Sequence, residues 1–266
     1  MGSSMYSRVL RAGVVACGLA WFGPADLKAE ALRLPGSTDL LQRSAEPFGL
    51  PASSLAGGGL RDKWLGVQRR LEDEMVQIAL CDGDRERCAS PAALKFLEIV
   101  DAARLREGRA RLGVINRAIN LAIRPMSDLV QHGQIDVWTP PLATLAKGAG
   151  DCEDYAIAKF LALRFAGVAL DDLRIVVVHD RIHGEDHAVA AVRLDGRWLT
   201  LDNRRMAMVE DSDVRNYLPT FVIDQHGVMR YGEALVADAT GDLAAPAVVS
   251  FSGYPTLVVS AGRAAH

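Results

Sequence analysis

The chain has 266 residues, half of them hydrophobic and about a quarter charged, which is an ordinary globular composition with enough length for a sizeable core. Its net charge is −3 and its basic residues are scattered, so the sequence offers no electrostatic footprint for nucleic acid and none is expected as a partner.

In chain order, Arg8 and Arg11 precede an apolar run from Ala12 to Gly23, and small residues follow at Ala25 and Ala29. A charged start, a short apolar stretch and a small-residue exit read as a secretory signal or an N-terminal anchor over residues 1–29, with a buried helix as the alternative. The run is short for a bilayer span. Val14–Cys17 has the shape of a lipoprotein cleavage box, but the apolar run continues past Cys17. Residues 30–59 are rich in Ser, Pro and Gly and are expected to form a flexible arm.

A helix is predicted from Leu60 to Leu80, where Trp64, Val67, Leu71, Met75 and Ile78 recur at helical spacing. Ser90-Pro91 predicts the start of a second, and Leu112 to Ile123 a third. The prolines of "DVWTPP" exclude helix there. Asp151 is placed to cap the next helix, with Asp154 at the third helical position, and Gly167 to end it. Leu173–Asp180 reads as a strand, and "HAVAAVRL" and "RWLTLDN" flank Asp195-Gly196 as a hairpin. "YLPTFVID" is a further strand, "QHG" a turn, and residues 236–266 a peripheral tail. Helices followed by a helix and antiparallel strands give an α+β class rather than a wound parallel sheet.

Four cysteines sharpen this reading. Cys17 would leave with the signal, and Cys81 and Cys88 flank a polar loop that a disulfide could close in an oxidising compartment. Cys152 is then the unmatched thiol, either reactive or an inert buried residue. At the first position of its helix it meets free N–H groups and a dipole that favour a thiolate, though Asp151, Glu153 and Asp154 crowd it. If the hairpin turns on Asp195-Gly196, Val189 faces Asp202 and His187 faces Arg204. His187 and Asp202 then share a face as diagonal neighbours, roughly 7–8 Å apart along the backbone. Cys152, His187 and Asp202 thus suit a nucleophile, a base and an orienting acid.

These residues carry a resemblance. "DVWTPPLATLAKGAGDCEDYAIAKFLALRFAGV", "LRIVVV", "HAVAAV" and "WLTLDN" are similar to the bacterial transglutaminase-like cysteine peptidases, in particular the LapG-type periplasmic adhesin proteases. The resemblance spans about Leu60 to Gly232 and implies a papain/transglutaminase-like peptidase domain, bounded here as 60–235. It implies Cys152, His187 and Asp202 as the catalytic triad and Asp151, Glu153 and Asp154 as ligands of Ca2+. It further implies an exported endopeptidase that clips the N-terminal region of a large surface adhesin, as in biofilm detachment, and is sequestered by a cyclic-di-GMP-responsive inner-membrane receptor. Where the family often has an acid after "TP", this chain has Ala143.

Other readings compete. The same thioester chemistry with an amine acceptor makes a transglutaminase or acyltransferase, and a non-catalytic calcium-responsive binding module would keep the fold. Without the resemblance, acids at a helix start simply complement the dipole. "DGDRE" at Asp82–Glu86 lacks the glycine and distal glutamate of an EF-hand and reads as a solvated loop. His179, His183 and His187 suggest either a transition-metal cluster or a polar connection, and the connection is preferred because Gly184 interrupts them. Trp138 belongs either to a substrate cleft or to the core, while Tyr155 and Lys159 are read as packing and surface residues.

Overall fold

The computed structural model describes residues 46–232. The expected signal or anchor over 1–29, the arm up to residue 45 and the tail over 236–266 lie outside the described residues.

Three long helices come first: α1 (Gly59–Gly83), α2 (Pro91–Arg104) and α3 (Gly108–Ala122). In α1 the buried positions Trp64, Val67, Leu71, Ile78 and Cys81 form one stripe, as the apolar spacing predicts. Cys81 and Cys88 are joined as a disulfide that ties the end of α1 to the loop before α2. Ser90 caps α2 by accepting the Ala93 N–H at 3.2 Å, and Pro91 occupies the first turn. The third helix begins at Gly108, four residues before the predicted start at Leu112, because the polar turn Gly108–Arg111 carries no apolar periodicity to read.

Short elements follow: β2 (Arg124–Pro125), α4 (Asp128–His132), α5 (Pro141–Lys147) and β3 (Ala149–Gly150). Then comes α6 (Cys152–Phe165), buried along almost its whole length. It ends as the sequence suggests: the Gly167 N–H reaches Arg164 O and the Val168 N–H reaches Leu163 O, both at 3.0 Å, with Gly167 at a positive φ.

The remaining strands are β4 (Leu173–Asp180), β5 (Glu185–Leu194), β6 (Arg197–Leu201), β7 (Val209–Glu210), β8 (Tyr217–Ile223) and β9 (Val228–Tyr231). With β1 (Ala52–Ser54) they form an antiparallel sheet in the order β1-β9-β8-β4-β5-β6-β7. The β5–β6 hairpin turns on Asp195-Gly196, both at positive φ, with Leu194 opposite Arg197.

One boundary is corrected. Residues 52–54, at the end of the expected flexible arm, form an edge strand on β9, and Gly232 donates to Pro51 O at 2.8 Å. Their Ser and Ala side chains give no strand signal, so pairing with a distant edge decides their conformation.

The sheet has a core on each face. Ile175, Ala188, Ala190, Val192, Leu199 and Leu201 pack against the helices. Val176, Val178, Val189, Ala191, Trp198 and Val222 form the second core, beneath Phe48, Leu50 and Ala52. Burial on both faces explains the unbroken apolar runs in β4 and β5. The fold is therefore α+β, with the cysteine-bearing helix α6 laid on an antiparallel sheet.

Candidate active site

Cys152 opens α6 at the edge of a cleft of about 410 Å³, whose walls include His187 and Ala188 of β5 together with Leu60, Trp138, Val177 and Phe221. It is the free cysteine among the described residues, and it is half-buried. Its Sγ donates to Glu153 Oε2 at 3.1 Å. Burial raises the thiol's pKa, and the Glu153 carboxylate raises it further by charge and by that hydrogen bond, with only the Ala188 N–H opposing.

His187 and Asp202 meet. His187 Nε2 lies 3.0 Å from Asp202 Oδ1, and both residues are buried. The regular β5–β6 ladder stops at Ala190–Leu201, so the expected pairing of His187 with Arg204 does not form. Arg204 turns away to ion-pair with Asp180 and Glu185, while its backbone N–H donates to Asp202 Oδ1 at 3.0 Å. Tyr217, from β8, donates its hydroxyl to Asp202 Oδ2 at 2.6 Å. Burial works against ionisation of Asp202, but the hydrogen bonds from His187, Tyr217 and Arg204 prevail and hold it well below the usual carboxylate range. The other ring nitrogen, His187 Nδ1, is buried without a hydrogen-bond partner among the described residues. Such a nitrogen is left to serve the cleft.

The acidic trio differs from the expected one. Asp128, Asp151 and Glu153 bring a carboxylate oxygen each within 4.8 Å of one another. Asp154 does not belong to the group: its Oδ1 accepts the Thr139 N–H at 2.7 Å, fixing the loop before α5. Asp128, from α4, takes its place because β2 and β3 pair in parallel, Arg124 with Ala149 and Pro125 with Gly150, and so lay the two segments side by side. Asp128 Oδ1 and Asp151 Oδ1 are buried with no hydrogen-bond partner among the described residues. Asp151 sits at the helix N-cap but makes no side-chain capping bond. Burial, then the charges of Glu153 and Asp154, push its pKa up to about 9. Burial likewise raises Asp154 to about 7, against the Thr139 N–H. Crowded, partly orphaned carboxylate oxygens fit a hard cation that takes several oxygen ligands, as Ca2+ does.

Trp138 proves to be both cleft wall and core: it is 6 % exposed, and its indole N–H is committed to Asp136 Oδ1 at 2.8 Å. Position 143 carries no acid of its own, yet Glu74 of α1 accepts the Leu142 and Ala143 N–H groups at 2.8 and 3.1 Å. His179 and His183 pair with Asp186 and Asp180 at 3.1 and 2.5 Å, as members of a polar connection beside the site. Lys159 is not a surface residue; it is fully buried.

Sequence reasoning missed Asp128, Tyr217, Lys159, Asn116 and Asn120 as contributors to the site. Three of these left a trace: Asn116 and Asn120 sit on the apolar stripe of α3 with Leu112, Ile115 and Ile119, and Lys159 interrupts an otherwise apolar helix.

A family model for bacterial transglutaminase-like cysteine proteinases matches residues 73–225, more than half of the chain and including Cys152, His187 and Asp202. The chain belongs to this family. The solved structures similar to this transglutaminase-like proteinase include LapG of Legionella pneumophila, at 23 % identity and a TM-score of 0.47, covering 52 % of this chain and 77 % of that one. The calcium-bound form of the same LapG aligns at 22 % identity and a TM-score of 0.47, covering 56 % and 84 %. A putative cysteine protease from Cytophaga hutchinsonii aligns at 12 % identity and a TM-score of 0.33, covering 52 % and 58 %. No curated protein matches the chain significantly.

Proposed function

We propose that this transglutaminase-like proteinase is an exported, calcium-dependent cysteine endopeptidase that clips the N-terminal region of a large surface adhesin in the periplasm. A cyclic-di-GMP-responsive inner-membrane receptor is the proposed sequestering partner. The observation that carries the chemistry is the His187–Asp202 contact, with His187 Nδ1 unpartnered and His187 lining the same cleft as Cys152. Because Nε2 is engaged with Asp202, Nδ1 is the nitrogen that takes the Cys152 proton. Cys152 Sγ attacks the scissile carbonyl, and His187 returns the proton to the leaving amine. The resulting thioester is hydrolysed by water that the same imidazole deprotonates. Asp202 holds the ring's tautomer throughout.

Asp128, Asp151 and Glu153 would hold the calcium ion, whose charge would offset the carboxylates that raise the pKa of Cys152. The export signal is supported by the pattern at Arg8–Gly23 and by a disulfide at Cys81–Cys88, which suits an oxidising compartment. Among the described residues no helix is long and apolar enough to cross a membrane.

The deciding experiment mixes the purified protein with the N-terminal region of a large adhesin from the same organism, with calcium or with a chelator. Clipping with calcium, and none with chelator or with Cys152→Ala, is the expected result. Cross-linked or amine-tagged product would instead mark an acyltransferase, and no reaction in either condition would overturn the peptidase reading.

A further inference from the structure

Asp202 has a positional problem. It lies just beyond β6, where the ladder to β5 has already ended, so no strand pairing fixes its backbone. A carboxylate that must orient an imidazole needs a rigid support, and the carbonyls of this buried turn need donors.

Three side chains supply both. Lys159 stands on α6 two turns after Cys152, a spacing that returns to nearly the same helix face. Its Nζ donates to Leu201 O at 3.1 Å, immediately before Asp202, and lies 5.8 Å from the centre of the Tyr155 ring. Asn120 of α3 donates to Asp202 O at 2.9 Å and to Arg205 O at 3.0 Å. Asn116, one turn earlier, donates to Arg205 O and Met206 O at 3.2 and 3.1 Å. The amide orientation is dictated by chemistry, since both neighbours of each Asn Nδ2 are carbonyl oxygens that can only accept.

Satisfying one carbonyl does not require a lysine in a core, where the ammonium is costly. Burial lowers the pKa of Lys159 to about 7, and Asp202 is the group that pulls it back up. The charge is thus set against the carboxylate that His187 uses.

We propose that Lys159 and Asn120 are positioning residues for the His187–Asp202 pair, holding the Leu201–Met206 backbone from the nucleophile's own helix and from α3. This rests on the Cys152–His187–Asp202 reading above. Lys159 joins the helix that places the thiol directly to the segment that places the acid.

The test has two readouts. In full-length Cys152→Ala protein, the downfield proton of the His187 imidazole N–H bound to Asp202 is followed by NMR, without any substrate. In otherwise unsubstituted protein, kcat and KM are measured on a cleaved adhesin fragment. Lys159→Met and Asn120→Ala are each expected to shift or abolish the resonance and to lower kcat about tenfold or more with little change in KM, as misplacement of a catalytic group does. Circular dichroism and melting curves establish that each variant folds. If only one folds, that variant decides. Folded variants that keep the resonance and a kcat within about twofold overturn the proposal, and so does failure of both to fold, which would make the clamp purely structural. If the unsubstituted protein cleaves nothing, the peptidase reading fails while the resonance still decides the clamp.

Discussion

Asp151 is set beside Asp128 by the two-residue parallel ladder of β2 and β3, supported by the Met126 N–H on Gly150 O at 2.9 Å. This brings an acid of α4 beside the acid that precedes α6. It also makes Asp128, rather than Asp154, the partner of the "DCED" carboxylates.

Asp128→Asn should therefore weaken calcium binding about tenfold or more, since a ligand's charge is removed from an all-oxygen site. Isothermal titration calorimetry with Ca2+ is the measurement. Asp154→Asn should leave calcium affinity closer to the unsubstituted value and act mainly on stability, through the Thr139 N–H. Equal losses of affinity in the two variants would refute the revised ligand set.

The pH dependence has a defined sign. Asp151 and Asp154 have folded pKa values raised to about 9 and about 7, above their unfolded value of 3.8. Groups raised in this way contribute stability that is fully present below pH 4 and is lost as pH rises through the folded values. In chelator, their contribution should lower the melting temperature between about pH 4 and 9. A cation that displaces those protons binds more tightly as pH rises, so the calcium-induced increase in melting temperature should grow over the same range. Scanning calorimetry at pH 5, 7 and 9, with calcium and with chelator, reads both effects; a calcium effect that shrinks with pH would contradict this assignment.

Tyr217→Phe removes one hydrogen bond to the Asp202 carboxylate and nothing else of comparable size. Hydrogen bonds to charged groups contribute about 1.5–3 kcal/mol, so urea denaturation should show a loss of that order. Asp202, held less firmly in its ionised form, should also hold His187 less well, and kcat should fall while KM changes little. Unaltered stability together with unaltered kcat would remove Tyr217 from the site.

Gly150 leaves no room for a side chain. A Cβ there would lie 2.8 Å from Asp154 Oδ2, 2.9 Å from Asp154 Cβ and 3.1 Å from Thr144 Cγ2. Gly150→Ala should cost about 1–3 kcal/mol as an overpacked site and displace the start of α6 that carries Cys152. Thermal melting, together with the rate of peptide cleavage, checks it, and a fully stable, fully active variant would show that the segment yields freely.

The sequence by itself determined the parts whose causes are local. Apolar spacing marked α1, Ser90-Pro91 the start of α2, Gly167 the end of α6, and Asp195-Gly196 the turn of the hairpin whose strands carry His187 and lead into Asp202. Those features follow from φ preferences, caps and the two-residue period of strands. Tertiary structure alone decided what depended on distant partners. The edge strand β1 exists because β9 offers it hydrogen bonds, and Asp128 joins Asp151 because a short parallel ladder aligns their segments. Tyr217, Lys159 and Asn120 converge on the Asp202 segment from β8, α6 and α3. No local pattern encodes such a meeting, because its hydrogen bonds form only once the helices have packed on the sheet and water has left the carbonyls that those side chains must satisfy.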